Sequence, residues 1–233
     1  MTKLSAEKRK ADRVPNHPIL TKGAFTMYGF IRLLLGLVVL CVLFLAIKKS
    51  AIVRKRRVCI LAFVLVMLAV SFSAWVPFEN AFVTFQTPAS AFQYVNMKTD
   101  VKLTVYGENS CLVVGEKDGV NQYLIVPKAS DGWKTDTGYH TKMISSQNFG
   151  SVLVCVYRHK KTGDCYLSVL DTEGKPIELH DNCNSKFVAS EKANDVRNKT
   201  YTTYYAYIPD FSDDYQLVLG GKVYTPAKEN VGL

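Results

Sequence analysis

The side chains able to do chemistry in this 233-residue chain are few: six cysteines and four histidines, with no dense cluster of either. Cys111, Cys155, Cys165 and Cys183 all fall in the C-terminal part. An even number in an oxidising compartment permits disulfides, and four cysteines allow three pairings. Cys155 and Cys165 flank one predicted turn, but Gly163 in a left-handed bulge would set Cys155 opposite a residue near Val169. The alternative is free thiols packed as small hydrophobes. A metal site needs clustered ligands, and only His180-Asp181-Asn182-Cys183 places them side by side. No Cys-x-x-Cys or second histidine pair accompanies it, so it reads as a polar turn. A thiol nucleophile needs an imidazole to take its proton. His140, His159 and His180 are available, with no local signature to select one. Asp213-Asp214 is a solvated turn more simply than an acid–base pair. The chain has no nucleophile elbow, phosphate-cradling loop or dinucleotide fingerprint. The sequence therefore assigns no catalytic residue, metal ligand or cofactor.

Tyrosine is the remaining functional signal. Every tyrosine except Tyr28 lies beyond Phe78, and Tyr201, Tyr204, Tyr205 and Tyr207 with Phe211 form the densest group. Exposed tyrosines bind protein, peptide or glycan well, so this group is the candidate binding surface, with sheet packing as the competing explanation. In a strand, Tyr205 and Tyr207 would face one way and Tyr204 the other.

The elements that must position these residues are mostly strands. Val101–Val105 alternates apolar and polar residues, the period of a half-buried strand. Cys111–Val114 and Tyr123–Val126 are joined across Glu116-Lys117-Asp118-Gly119, a hairpin signal. The format recurs with Val152–Tyr157, the turn Lys161-Thr162-Gly163-Asp164 and Tyr166–Leu170. It recurs again with Lys186–Ala189 and Thr202–Ile208, then with Leu217–Leu219, Gly220-Gly221 and Lys222–Tyr224. A helix is expected before the strands, where Thr87 can cap, Pro88 fits the first position and Ala89–Val95 continue. The expected fold is a mainly antiparallel β domain, a meander or small sandwich, with one short helix.

The N-terminal quarter differs in kind. Thirteen of the 29 Lys/Arg lie in residues 1–57 against two of the 20 Asp/Glu, a balance of +11, and the rest of the chain carries sixteen against eighteen, or −2. The formal +9 is thus not the profile of a nucleic-acid-binding domain. The same quarter holds the longest apolar runs, 25–47 with Arg32 as its one charge, and 58–78 with none. About 20 apolar residues cross a hydrocarbon core as a helix, so two transmembrane helices are expected. The loop between them carries Lys48, Lys49, Arg54, Lys55, Arg56 and Arg57 and no acid. That density assigns the loop to the cytoplasmic side and to contact with anionic lipid. The tail bases, of which only Arg13 and Lys22 lie near the first span, oppose this more weakly. Ser71-Phe72-Ser73 offers a small-x-small cleavage pattern, but its internal position favours an uncleaved anchor.

Val76-Pro77-Phe78-Glu79-Asn80-Ala81-Phe82, Phe85, Pro88 and Ala91-Phe92-Gln93-Tyr94, with Leu124–Lys128 and Asp131-Gly132-Trp133-Lys134, carry a resemblance. Over residues 60–225 the chain resembles an uncharacterised group of small membrane-anchored proteins from Gram-positive bacteria. The resemblance implies an anchor followed by a β-rich domain and nothing catalytic; the extra first span and basic tail depart from a single-anchor form. The expected organisation is a basic tail at 1–23, a two-span hairpin at 24–78 with its loop at 48–57, a linker and short helix at 79–99, and the β domain at 100–233. The expected function is a non-enzymatic interaction or sensing module at the cell envelope, with the C-terminal domain outside. Its partners would be the lipid bilayer and an envelope protein, peptide or glycan, not nucleic acid. An envelope hydrolase or thiol enzyme, and an accessory subunit of a membrane complex, are the other readings.

Overall fold

The computed structural model describes residues 34, 36–42, 44–45, 56–75, 77–173, 178–194, 199–209 and 211–226, with backbone alone at 56–59, 70–75, 78, 191–194 and 199–200. The tail 1–23 and the loop residues Lys48, Lys49, Arg54 and Lys55 lie outside the described residues. Residues 36–42 are helical, and Leu37, Val38 and Phe44 are exposed. Helix α1, Arg56–Trp75, begins on the last two bases of the predicted loop and carries no charge beyond them. Its described side chains run only from Ile60 to Ala69, and over the described residues no helix is long and apolar enough to cross a membrane.

The segment expected as a linker is built into the domain instead. Phe78–Ala81 is a short 3-10 helix, and Phe85 bridges to Trp133 through two backbone hydrogen bonds of 2.8 Å. Helix α2, Pro88–Val95, starts where the sequence signals it. The Thr87 side chain accepts the Ser90 N–H while Ser90 reaches back to Thr87, a reciprocal cap with proline in the first turn. Its spacing puts Ala91, Phe92 and Val95 on one buried face. The integration follows from that face, because an isolated two-turn helix is not stable in water and must bury apolar surface to persist.

Among the described residues, twelve strands form three antiparallel sheets. The first contains β1 (Asp100–Tyr106), β2 (Ser110–Lys117), β3 (Val120–Ala129) and β4 (Gly132–Trp133) in sequence order. The second contains β5 (Thr141–Phe149), β6 (Val152–His159), β7 (Cys165–Asp171), β9 (Val188–Asn194) and β10 (Lys199–Ile208), ordered β5-β6-β7-β10-β9. The third is small: β8 (Leu179–Asp181), β11 (Leu217–Leu219) and β12 (Lys222–Tyr224), with β11 central. The Asp118-Gly119 turn has φ of +51° and +73°, the left-handed pair that a two-residue hairpin turn requires.

Alternation along the strands builds three apolar layers between these elements. Cys111 and Val113 of β2, with Leu124 and Val126 of β3, pack under α2. Leu112 and Val114 point the other way, against Cys155, Tyr157, Tyr166 and Tyr205 of the second sheet. Val154, Val156, Leu167, Val169 and Ile208 then cover the third sheet together with Phe211, Tyr215 and Leu217. The architecture is therefore helix, sheet, sheet, sheet, so both larger sheets are buried on two faces. That is why β2, β6 and β7 are nearly continuous apolar runs.

Three sequence expectations change. The tyrosine group forms no common surface: Tyr205 is buried and Tyr207 packs beside it between the two larger sheets, while Tyr204 and Phe211 belong to the layer under the third sheet. Tyr201 is half-buried. Large rings on a strand covered on both faces serve as core on both. The disulfide candidates Cys111, Cys155, Cys165 and Cys183 are not joined by disulfides. Cys155 pairs across the ladder with Ser168 and Cys165 with Arg158, and the two sulfurs enter different layers. Finally, β5 was not apparent from the sequence. It is an edge strand with a polar Ser145–Asn148 stretch, bulged between Met143 and Ser145, and is held by pairing with β6 and by Met143, Ile144 and Phe149 against the core layers.

Candidate functional site

The loop that leads from β4 in the first sheet to β5 in the second is fixed at both ends. The Asn80 side chain grips the backbone of Thr135, with Nδ2 donating to the carbonyl at 2.8 Å and Oδ1 accepting the N–H at 2.9 Å. At the other end the Thr141 N–H donates to the Gly138 carbonyl at 3.0 Å, and the Lys160 N–H to the His140 carbonyl at 2.7 Å. Between these ties Asp136 turns inward and is almost wholly buried. Its Oδ1 accepts the Gly138 N–H at 2.8 Å, a local turn that glycine favours, since φ there is +80°.

Both imidazoles converge on the other oxygen. His140 Nδ1 lies 2.8 Å from Asp136 Oδ2, and His159 Nε2 lies 3.3 Å from the same atom. His159 closes β6 and is fully buried, whereas the His140 side chain keeps 14% of its surface in solvent. The Thr162 backbone N–H donates to His159 Nδ1 at 3.2 Å, and the Thr162 hydroxyl lies 3.0 Å from the same nitrogen. An Nδ1 that accepts leaves the proton on Nε2, so His159 donates to the carboxylate. Burial by itself would raise the Asp136 pKa. The His159 hydrogen bond and the charge and hydrogen bond of His140 outweigh it and hold the carboxyl below its ordinary range.

The three ligand atoms lie within 4.8 Å of one another. One ionised carboxylate oxygen between two imidazole nitrogens can act as a hydrogen-bonded clasp between the loop and the second sheet. It can equally act as a mixed nitrogen–oxygen ligand set. The rings of His140 and His159 meet edge-on at 6.1 Å, Tyr139 contacts the outer side of His140, and Lys160 Nζ lies over the Tyr139 ring at 5.0 Å.

The residues singled out from sequence behave differently. His140 and His159 come together, but on a carboxylate and not on a thiol. Cys155 contacts the Ser146 hydroxyl at 3.6 Å, and Cys165 accepts from Arg158 Nε at 3.3 Å. Burial pushes the Cys111 thiol up to about 12 and also raises Cys155. His180 is exposed and pairs with Glu178 at 3.0 Å. Its neighbour Asp181 points inward, accepting the backbone N–H groups of Cys183 and Ser185 and the Tyr215 hydroxyl. His180 and Asp181 therefore serve a polar turn. The sequence signal for the missed group was Asp136-x-x-x-His140 around a glycine, and its second histidine could be placed only through the β5–β6 register, which sets Thr141 opposite His159. Against this geometry, no family, no curated protein and no solved structure matches the chain.

Proposed function

We propose that the chain is a membrane-anchored protein that presents its layered β domain outside the cytoplasmic membrane, as an interaction or sensing module of the cell envelope. The Gram-positive group that its sequence resembles likewise carries a membrane anchor followed by a β-rich domain. The carrying observation is α1, where Ile60, Leu61, Phe63, Leu65 and Leu68 are each more than half exposed. A contiguous apolar helix face of this kind calls for a non-aqueous neighbour. The apolar run in the sequence from Val58 onward matches a hydrocarbon core of about 30 Å. The bases at 48–57 hold the loop inside, which sends the domain outward. Lipid is the first partner, and an envelope protein, peptide or glycan the second; a domain balance of −2 offers no attraction to nucleic acid. A raised thiol pKa at Cys111 and Cys155 is the reverse of what a thiol nucleophile needs, which counts against these two cysteines in that role.

Two measurements on the full chain test this. After alkaline carbonate washing the protein is expected to stay in the membrane pellet, and its release would remove the anchor. Native thiols report orientation poorly because Cys111, Cys155 and Cys165 are buried. Val120→Cys, at a half-exposed position beside the Asp118-Gly119 turn, replaces them. A membrane-impermeant maleimide should label that variant in intact cells, and labelling only after lysis would reverse the orientation.

A further inference from the structure

We propose that Asp136 Oδ2, His140 Nδ1 and His159 Nε2 bind a borderline divalent transition-metal ion, of which Zn²⁺ is the representative. This goes beyond the anchored-module reading and does not depend on it. A tetrahedral ion with bonds of roughly 2.0–2.1 Å holds its ligand atoms roughly 3.3 Å apart. Of the two separations between the carboxylate oxygen and the imidazole nitrogens, that to His159, 3.3 Å, matches this edge, and that to His140, 2.8 Å, is shorter. All three atoms fall within 4.8 Å, so small ring rotations suffice to admit the ion. Two imidazoles with one carboxylate suit zinc or ferrous iron, whereas calcium and magnesium take sets made almost wholly of oxygen.

The outer contacts that a metal site needs are also present. Asp136 is oriented through Oδ1 by the Gly138 N–H, and its loop is gripped by Asn80 at the adjacent Thr135. When the ion takes Nε2 of His159, the ring proton moves to Nδ1 and donates to the Thr162 hydroxyl, 3.0 Å away, and the Thr162 N–H gives up its 3.2 Å hydrogen bond to that nitrogen. His140, ligating through Nδ1, carries its remaining proton on Nε2, so each imidazole in the metal complex is neutral and keeps one N–H. Three protein ligands leave a fourth position for water. Thr141 stands opposite His159 in the ladder and so projects to the same face. Its hydroxyl is buried without a hydrogen-bond partner and offers an acceptor or donor for that water.

The test uses the full chain, stripped with a chelator and dialysed against Zn²⁺, with bound metal counted by elemental analysis and affinity measured by competition with a chromophoric chelator. The expected result is one zinc per chain, weakened roughly tenfold or more in both Asp136→Asn and His140→Gln. Binding of Co²⁺ should give a tetrahedral visible spectrum that both variants lose. If Asp136→Asn fails to fold, His140→Gln decides the matter, because its side chain lies at the solvent edge and its fold can be checked by circular dichroism. No stoichiometric zinc in the wild-type chain, or wild-type binding in His140→Gln, overturns the proposal.

Discussion

Buried polar atoms and the space around glycines fix much of this fold. Where the two larger sheets meet, Ser110 Oγ donates to Asp164 Oδ2 at 2.6 Å, the Tyr166 hydroxyl lies 2.8 Å from Ser110 Oγ, and the Asn109 N–H reaches the same carboxylate at 2.9 Å. The carboxylate is satisfied by neighbours from the other sheet, so its burial is tolerated. Gly115 shows the complementary constraint. A Cβ there would stand 2.7 Å from Thr99 Cγ2, 2.8 Å from Phe92 Cε1 and 2.9 Å from the Asp100 carbonyl oxygen. The last belongs to the paired strand and cannot give way cheaply. Gly115→Ala is therefore expected to destabilise the protein by about 1–3 kcal/mol in denaturant unfolding. A variant as stable as the wild type would mean that α2 and β1 do not pack this closely. In the sequence Gly115 is only a glycine in an apolar run, because the atoms that exclude a side chain come from two other elements.

For elements, local signals were legible wherever the controlling interaction is short-range. Thr87 and Pro88 mark the start of α2 because capping and a preset φ act within one turn, and Gly119, Gly163 and Gly221 mark turns because each takes positive φ. Thr87→Ala removes the acceptor for the Ser90 N–H, with an expected cost of about 1 kcal/mol. A thermal melt of the variant against the wild type checks this, and equal midpoints would argue that tertiary packing alone holds the helix. The opposite case is β5. Its Ser145-Ser146-Gln147-Asn148 stretch has no strand-like alternation, and among the described residues it pairs with β6 alone, with Met143, Ile144 and Phe149 packed against the core layers. Missing β5 also meant missing the register that brings His140 and His159 to Asp136.

The whole molecule stacks a helix and three sheets, which buries ionisable hydroxyls and a thiol between layers. Burial, as the largest cause, raises the Cys111 thiol from 9.0 to about 12 and lifts Tyr166, Tyr205 and Tyr215 above 10.0. The unfolded chain ionises these groups at their ordinary values while the folded chain keeps them neutral. Their contribution to stability is thus complete below the unfolded values of 9.0 and 10.0. It declines as pH rises above them and is lost as pH passes the folded values. Each group contributes a slope of about 1.4 kcal/mol per pH unit between its two values. The unfolding midpoint should accordingly fall steeply between about pH 9 and 12. A midpoint that is flat across that interval would contradict burial of these groups.

Features that depend on nearest neighbours along the chain were readable from the order of residues. That order separated a basic, apolar N-terminal quarter from a nearly neutral domain, identified most of the hairpins, and located α2 through its cap. These follow from composition, side-chain period and turn geometry, all of which act over a few residues. Only the tertiary structure decided which face of each strand met which layer, and with it that Tyr205 and Phe211 are core and that the cysteines remain apart. It alone joined Asp136, His140 and His159, because their convergence depends on a crossover loop between sheets and on an edge strand whose register is set by its partner. A contact of that kind has no local energy to leave a mark in the sequence.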